Sequence, residues 1–122
     1  MNHFNKTEIE QLLCAPDYED SSQINSELYA AMYSLGRDAE NEEEYQYAFA
    51  VLISLCSRKA QRVRVWAILS MSILAVLHSR LDRSIVEPII IREWETATEE
   101  NKATIQDAVD DINHALKWNL IL

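Results

Sequence analysis

The sequence predicts an all-α protein in which about six helices form about three helical hairpins. Apolar residues recur at intervals of three and four along nearly the whole chain, which is the spacing of one face of an α-helix. The 122 residues include only one glycine and two prolines, where average usage would give about 9 and 6. Because hairpin turns and phosphate-binding loops need glycines, this composition disfavours all-β proteins and nucleotide-binding enzymes. The length fits one domain over residues 1–122.

Start and stop signals delimit the first two helices. Thr7 and Glu10 have the spacing of a capping box, in which both side chains bond free amides of the first turn. This helix is expected to end at Cys14, because Pro16 cannot continue it. The second helix is expected to end at Gly36, since glycine most readily adopts the left-handed backbone conformation that terminates a helix. Its predicted cap is Ser21 or Ser22, and its apolar stripe is Ile24, Leu28, Ala31, Met32 and Leu35.

The third and fourth helices are expected to form the centre of the molecule. Asn41 can cap the third helix, and the three glutamates that follow it suit the positive end of the helix dipole. Arg58 and Lys59 are expected at the negative end of that helix. The fourth helix, about 61–79, is apolar on almost every side after Trp66, which is typical of a helix with several neighbours. The predicted core stripe of the third helix is Tyr45, Ala48, Phe49, Leu52, Leu55 and Cys56.

The last two helices follow short polar links. Asp82 or Ser84 can cap the fifth helix, which is expected to run through Ala97. Pro88 indicates either that the regular helix begins near Glu87 or that it kinks. The sixth helix is expected to run from a cap at Thr98 to Lys117, with the stripe Ile105, Ala108, Val109, Ile112, Ala115 and Leu116.

A weak internal repeat indicates how the hairpins could stack. A shift of 41 residues places 63–67 over 104–108, and a shift near 37 relates the second helix to the fourth. In a stack with this register the even-numbered helices share a face, and such faces commonly bind partners. Aromatic residues there suit an interface, although they also suit the core between hairpins. The candidate partner-binding residues are Tyr29, Trp66 and Asp107 in one row, Tyr33, Ser70 and Asp111 in the next, and Asp110 beside them.

Residues 60–119 resemble a known repeat family. HEAT repeats carry a valine-arginine pair and an alanine on one helix and a proline near the next hairpin, as in Val63-Arg64 with Ala67 and Val86 with Pro88-Ile89-Ile90. The segment 107–113 with Trp118-Asn119 is similar to the end of small HEAT-like immunity proteins of bacterial polymorphic toxin systems, including contact-dependent growth inhibition. The resemblance implies a right-handed α-solenoid and a non-enzymatic protein that binds a cognate toxin domain, often a nuclease, and blocks it.

The charge of the chain is strongly negative and unevenly spread. The net charge is −9 at pH 7, with −9 in residues 1–56, +5 in 57–92 and −5 in 93–122. Acidic flanks favour a cationic protein partner, because complementary potentials speed encounter and select against wrong partners. The alternative is an acidic surface that is merely solvated. A nucleic-acid-binding surface needs the opposite sign, so we expect no nucleic acid partner.

No group of residues has the pattern of a catalytic, metal or cofactor site. Asp107, Asp111 and His114 could share one side of a helix, but carboxylate-bridged metal centres need such elements on two helices. We therefore expect no metal and no cofactor. Cys14 and Cys56 have no neighbouring histidine and lie among apolar residues, so they are expected to be reduced, buried thiols.

The start of the chain has no basic segment followed by an apolar one, and no apolar run reaches about 18 residues. We therefore expect a cytoplasmic protein without a membrane partner. The first expectation for function is an immunity protein that neutralises a toxin domain. The alternatives are a helical adaptor or scaffold for another basic protein, a subunit of a homo-oligomer and, least favoured, an enzyme.

Overall fold

The computed structural model describes residues 6–19 and 26–122, without the side chain of Leu12. Within these ranges all regular structure is α-helical and no strand occurs, which confirms the predicted fold class. The described helices are α1 (Lys6–Cys14), α2 (Ser26–Asp38), α3 (Glu42–Leu55), α4 (Gln61–His78), α5 (Arg83–Thr96) and α6 (Glu99–Leu116).

Three of the predicted helix caps are confirmed. The Asn41 side chain accepts a hydrogen bond from the Glu44 amide at 2.9 Å. Asp82 and Thr98 cap α5 and α6 in the same way. The capping-box prediction at Thr7 is wrong, because α1 already includes Lys6 and Thr7 therefore lies within its first turn. The predicted caps Ser21 and Ser22, together with Ile24, lie outside the described residues.

The even-numbered helices run in the same direction, side by side. The rings of Tyr29 on α2 and Trp66 on α4 have centroids 5.1 Å apart. One turn further along, the Ser70 hydroxyl donates to the Met32 carbonyl at 2.7 Å. Both contacts join residues 37 or 38 apart in sequence, close to the shift that relates the second helix to the fourth. At the start of α6, Asn101 bonds the side chains of Gln61 and Arg62, so α4 and α6 begin next to each other.

The odd-numbered helices run the opposite way. The Tyr45 hydroxyl near the start of α3 donates to the Arg80 carbonyl just after α4. Arg64 near the start of α4 forms an ion pair with Glu93 near the end of α5. The contacts pair α1 with α2, α3 with α4, and α5 with α6. This packing is consistent with a stack of three helical hairpins.

The core is centred on α4, which packs against α2, α3, α5 and α6. This explains why α4 is apolar on almost every side. Glu93 is the one ionised side chain of α5 that is buried, and Arg64 compensates its charge. The fully enclosed large side chains include Met32, Leu35, Leu52, Leu55, Ile68, Met71, Leu74, Ile90, Ile105 and Ile112.

Gly36 does not end its helix as expected. It lies inside α2, without a positive φ, where the helix meets α4, and α2 continues to Asp38. The left-handed residues that follow α4 and α6 are Ser79 and Lys117, with φ of 56° and 59°. A shortage of glycine therefore does not prevent these helix ends from adopting the usual left-handed geometry.

One of the two alternatives for Pro88 is excluded. Pro88 lies inside α5, which begins at Arg83, so the regular helix does not begin near Glu87. Arg58 and Lys59 follow the end of α3 as expected, and the Arg58 guanidinium donates to the carbonyls of Leu13 and Ala15 at the end of α1, each at 3.0 Å. This contact fixes the end of α1 against the turn between α3 and α4.

Candidate protein-binding surface

A strip of apolar side chains on α4 remains partly uncovered between α2 and α6. From residue 66 to residue 77, every α4 side chain is buried except five. The five recur at intervals of three and four and so lie on one side of the helix. Two of them, Val76 and Leu77, are 50% and 55% exposed, whereas the others are half-buried by the flanking helices. We call Trp66, Leu69, Ile73, Val76 and Leu77 the α4 strip.

Aromatic side chains of α2 border one edge of the α4 strip. Tyr29 is half-buried against Trp66, and burial raises the pKa of its hydroxyl above the ordinary value. Tyr33, one turn later, is 38% exposed, and the Arg37 guanidinium lies 5.4 Å from its ring centroid. Arg37 also forms an ion pair with Asp38 at 2.7 Å. This edge therefore presents aromatic side chains to a partner, and the Arg37 guanidinium beside them is already paired with Asp38.

Carboxylates of α6 border the other edge. Glu100 approaches Arg62 of α4 at 3.9 Å, which places this side of α6 next to α4. Asp107 and Asp111 follow seven and eleven residues after Glu100, so they lie on the same side of the helix. Both are exposed, and no cation of the described residues lies within 4.0 Å of either. Their charge is available to a partner.

Asp110 belongs to a different edge of α6. Consecutive residues of a helix are about 100° apart, so Asp110 projects about 100° away from Asp111. Its carboxylate accepts a hydrogen bond from Gln106 at 2.9 Å, and it is exposed. Asp110 could contact a partner that wraps around α6, but it is farther from the α4 strip than Asp107 and Asp111.

The expectation that Ser70 contacts a partner is wrong. Ser70 is fully buried, and its hydroxyl donates to the Met32 carbonyl, so it joins α2 to α4. The surface positions next to it belong to Leu69 and Ile73. The repeat predicts that the surface position after Trp66 is four residues later, at Ser70. On α4 the next outward-facing positions are instead three residues later, at Leu69, and then four residues after that, at Ile73. The sequence signal for the exposed positions is the apolar character of the fourth helix on almost every side, which is also typical of a helix with several neighbouring helices.

Trp66 lies at the boundary between the core and the surface. Its ring packs on Tyr29, and the Arg62 guanidinium lies 5.7 Å from the ring centroid. Its indole nitrogen is buried, and no described residue accepts a hydrogen bond from it. An unpaired buried donor costs about 1–3 kcal/mol. Trp66 thus packs between hairpins and also belongs to the α4 strip, and its role in partner binding stays a prediction.

The acidic start of α3 is a weaker candidate surface. Glu42 pairs with Arg80 at 2.7 Å, and this cation together with Gln46 lowers the pKa of the Glu42 carboxyl. Glu43 lies 3.6 Å from Lys6. These carboxylates therefore already have partners within the molecule, in contrast to Asp107 and Asp111.

A cleft of about 260 Å³ between α4 and α5 contains the most perturbed thiol. Burial and the nearby Glu93 raise the pKa of Cys56 from 9.0 to about 12, so it is a neutral thiol at physiological pH. Arg64, also in this cleft, is occupied by Glu93 and by two main-chain carbonyls. No nucleophile or base is activated here. Cys14 is exposed, so the expectation that it is buried is wrong, whereas Cys56 is buried as expected.

Within the described ranges, no three His, Cys, Asp or Glu side chains are grouped closely enough to hold a metal ion. None of the described helices is both long and apolar enough to cross a membrane. No family model matches the chain, and neither a curated protein nor a solved structure matches it. Any function must therefore be argued from the surface itself.

Proposed function

We propose that this chain is an immunity protein that binds a cognate toxin domain and neutralises it by covering its active site or substrate surface. The observation that carries the proposal is the α4 strip, bordered by Tyr29 and Tyr33 on one side and by the unpaired Asp107 and Asp111 on the other. The proposed site of action is the cytoplasm, and the interaction needs no cofactor or metal.

The surface has the composition of a protein interface. Such interfaces combine an apolar centre with a polar rim, and tyrosine and tryptophan often dominate their binding energy. The free carboxylates add a preference for a cationic partner, because they repel surfaces of their own sign. A nuclease must be cationic where it holds phosphates. An acidic protein with a net charge of −9 can therefore compete with nucleic acid for that site.

A helical adaptor for another basic protein is the second candidate, and it would use the same surface. The two functions differ in what happens to the partner: an immunity protein abolishes a toxic activity, whereas an adaptor leaves its partner active. The measurement must therefore follow the activity of the partner as well as binding.

The test uses the protein encoded immediately upstream of this one. Its C-terminal domain is expressed from an inducible promoter with or without the full chain, and survival of the host cells is measured. We expect toxicity without the chain, rescue with it, and loss of rescue in the double variant Asp107→Lys, Asp111→Lys. The matched control is Glu10→Lys, Glu95→Lys, which changes the net charge equally at exposed sites on α1 and α5. A non-toxic neighbour, or equal rescue by both double variants, would contradict the proposal.

A further inference from the structure

We infer that the α4 strip is the docking site for one amphipathic helix of the partner, with a basic edge lying along α6. This inference rests on the proposed function and specifies how the partner is recognised. It concerns mainly Leu69, Ile73, Val76 and Leu77, which the sequence did not indicate as surface residues.

The shape and length of the strip fit a helix. Trp66, Leu69 and Ile73 face outward yet are half-buried, because α2 and α6 rise on either side of them. The strip therefore lies between two helices that partly cover its sides. From Trp66 to Leu77 it extends about 17 Å at 1.5 Å per residue, which matches roughly three turns of a partner helix. A helix recognised in this way places apolar residues at intervals of three, four and seven in the groove.

The two edges of the strip differ in charge, and this difference orients the occupant. The α6 edge carries Asp107 and Asp111 without a cationic partner among the described residues. The α2 edge carries Tyr33 and the already paired Arg37. A partner helix with lysine or arginine along one flank satisfies the carboxylates only when that flank faces α6. The opposite flank then packs on aromatic surface, where uncharged side chains suffice.

A second copy of this chain is a poorer occupant. Apart from α4 itself, α5 carries the most exposed large apolar side chains of the described helices, since Ile85 and Ile91 are each 41% exposed. The outer side of α5 also carries Glu95, which would approach the α6 carboxylates. Two chains with a net charge of −9 also repel each other at long range.

The test uses the full chain and two synthetic peptides of about 18 residues as probes, long enough for about five helical turns. Both peptides place leucine at helical spacing; one carries lysine along one flank and the other carries glutamate there. Binding is measured by fluorescence anisotropy. The protein variants are Val76→Ser with Leu77→Ser, and the matched control is Ile85→Ser with Ile91→Ser on α5. All four positions are exposed, so both double variants are expected to fold.

We expect the lysine peptide to bind at least about tenfold more tightly than the glutamate peptide, as expected for complementary charge. The serine changes on the strip should weaken binding by about tenfold or more, and those on α5 should leave it unchanged. Asp107→Lys with Asp111→Lys should remove the preference for lysine. Equal binding of the two peptides, no binding of either, or equal losses in the strip and control variants would overturn the inference.

Two further results separate this inference from the proposed function. Sedimentation that shows a dimer abolished by the strip variant would identify a second copy as the occupant and overturn the inference. If the peptides fail to bind while rescue in cells still depends on Asp107 and Asp111, the docking mode is wrong and the immunity function stands. If the lysine peptide binds as expected but the neighbouring protein is not toxic, the docking mode stands and the immunity function is wrong.

Discussion

Gly36 and Ser70 mark the closest approach of α2 to α4. A Cβ atom added to Gly36 would lie 2.3 Å from the main-chain oxygen of Ser70 and 3.3 Å from the Cβ of Ile73. The Ser70 hydroxyl bonds the Met32 carbonyl at the same crossing. The only glycine of the chain thus sets the distance between two helices of the candidate binding surface.

Replacing Gly36 with alanine should destabilise the protein although alanine is the better helix former. The new methyl group would overlap a main-chain oxygen, which cannot rotate away, so α2 and α4 must separate. We expect a net loss of about 1–3 kcal/mol, typical of an overpacked core. Urea unfolding measures it. Ala30→Ser, on the exposed side of the same helix, should change the free energy of unfolding by less than about 0.5 kcal/mol. A Gly36→Ala protein as stable as the parent would refute the close packing.

The buried ion pair of Arg64 and Glu93 should be sensitive to loss of one charge. Glu93→Gln leaves the half-buried Arg64 guanidinium without its counterion, so the cost should lie below the roughly 3–5 kcal/mol typical of a fully buried pair. Glu87→Gln is the control, because Glu87 forms a more exposed pair with Arg83 within α5. Such a pair contributes about 0.3–0.5 kcal/mol. Equal unfolding midpoints for the two variants would contradict this assignment.

Cys56 should make stability depend on alkaline pH. Its pKa is about 12 in the folded protein and 9.0 without burial. Between these values the unfolded chain loses the proton first, so the free energy of unfolding should fall as pH rises above about 9. Cys56→Ala should reduce this slope relative to the parent protein. At neutral pH, a thiol reagent should modify the exposed Cys14 and leave Cys56 intact until the protein is unfolded. Rapid modification of both cysteines in the folded protein would be incompatible with the burial of Cys56.

Trp66→Phe should test the unpaired indole nitrogen. The change keeps an aromatic ring against Tyr29 and removes the buried donor that has no described acceptor. Because that donor costs about 1–3 kcal/mol, its removal should offset the smaller apolar area. We expect thermal unfolding within a few degrees of the parent, whereas Trp66→Ala should lower the melting temperature clearly. A large loss in Trp66→Phe would indicate that the indole nitrogen has an acceptor.

Tyr33→Ala should weaken partner binding without unfolding the protein. The ring is exposed next to the α4 strip, and a central interface tyrosine can contribute about 2 kcal/mol to binding. The measurement is the dissociation constant for the partner domain together with the melting temperature. Tyr18→Ala, in the segment after α1, is the control at a tyrosine away from this surface. A large fall in melting temperature for Tyr33→Ala would mean that the ring stabilises the fold instead.

Charge reversal at Asp107 and Asp111 should act mainly on the rate of association. Complementary charges speed the encounter, and salt screens them within about 10 Å at 0.1 M ionic strength. The parent protein should therefore associate more slowly as salt rises, and the Lys variants should show little salt dependence. Stopped-flow association rates check this. A parent rate that stays constant from low to physiological salt would exclude electrostatic steering.

Helix spacing and three of the helix caps can be predicted from the sequence because they depend on local chemistry. Asn41, Asp82 and Thr98 all cap the helices assigned to them, since an oxygen of each side chain reaches an amide of the following turn. The predicted helix end at Gly36 is wrong because the role of this residue depends on tertiary packing and not on local chemistry. Glycine favours helix ends locally, but here the packing of α2 on α4 requires its missing side chain.

The candidate surface was predicted only in part for a related reason. The repeat shift brought Tyr29 and Trp66 together correctly, because parallel helices with a constant offset keep equivalent residues adjacent. It could not tell which side of α4 remains uncovered, because that depends on how closely α2 and α6 approach. The repeat therefore places Ser70 on the surface, and it gives no sign that Leu69 and Ile73 lie on the uncovered side of α4.

The hairpin arrangement also determines how the molecule should open. The outer hairpins pack mainly on α4, so either can separate without disrupting the other, while α4 must lose neighbours on both sides to become exposed. Local unfolding of this kind is visible as hydrogen exchange, and the slowest amides should belong to α4. A ligand that spans α2, α4 and α6 would join all three hairpins into one cooperative unit. Complex formation would then slow exchange in the outer hairpins, far beyond the amides that the ligand itself covers.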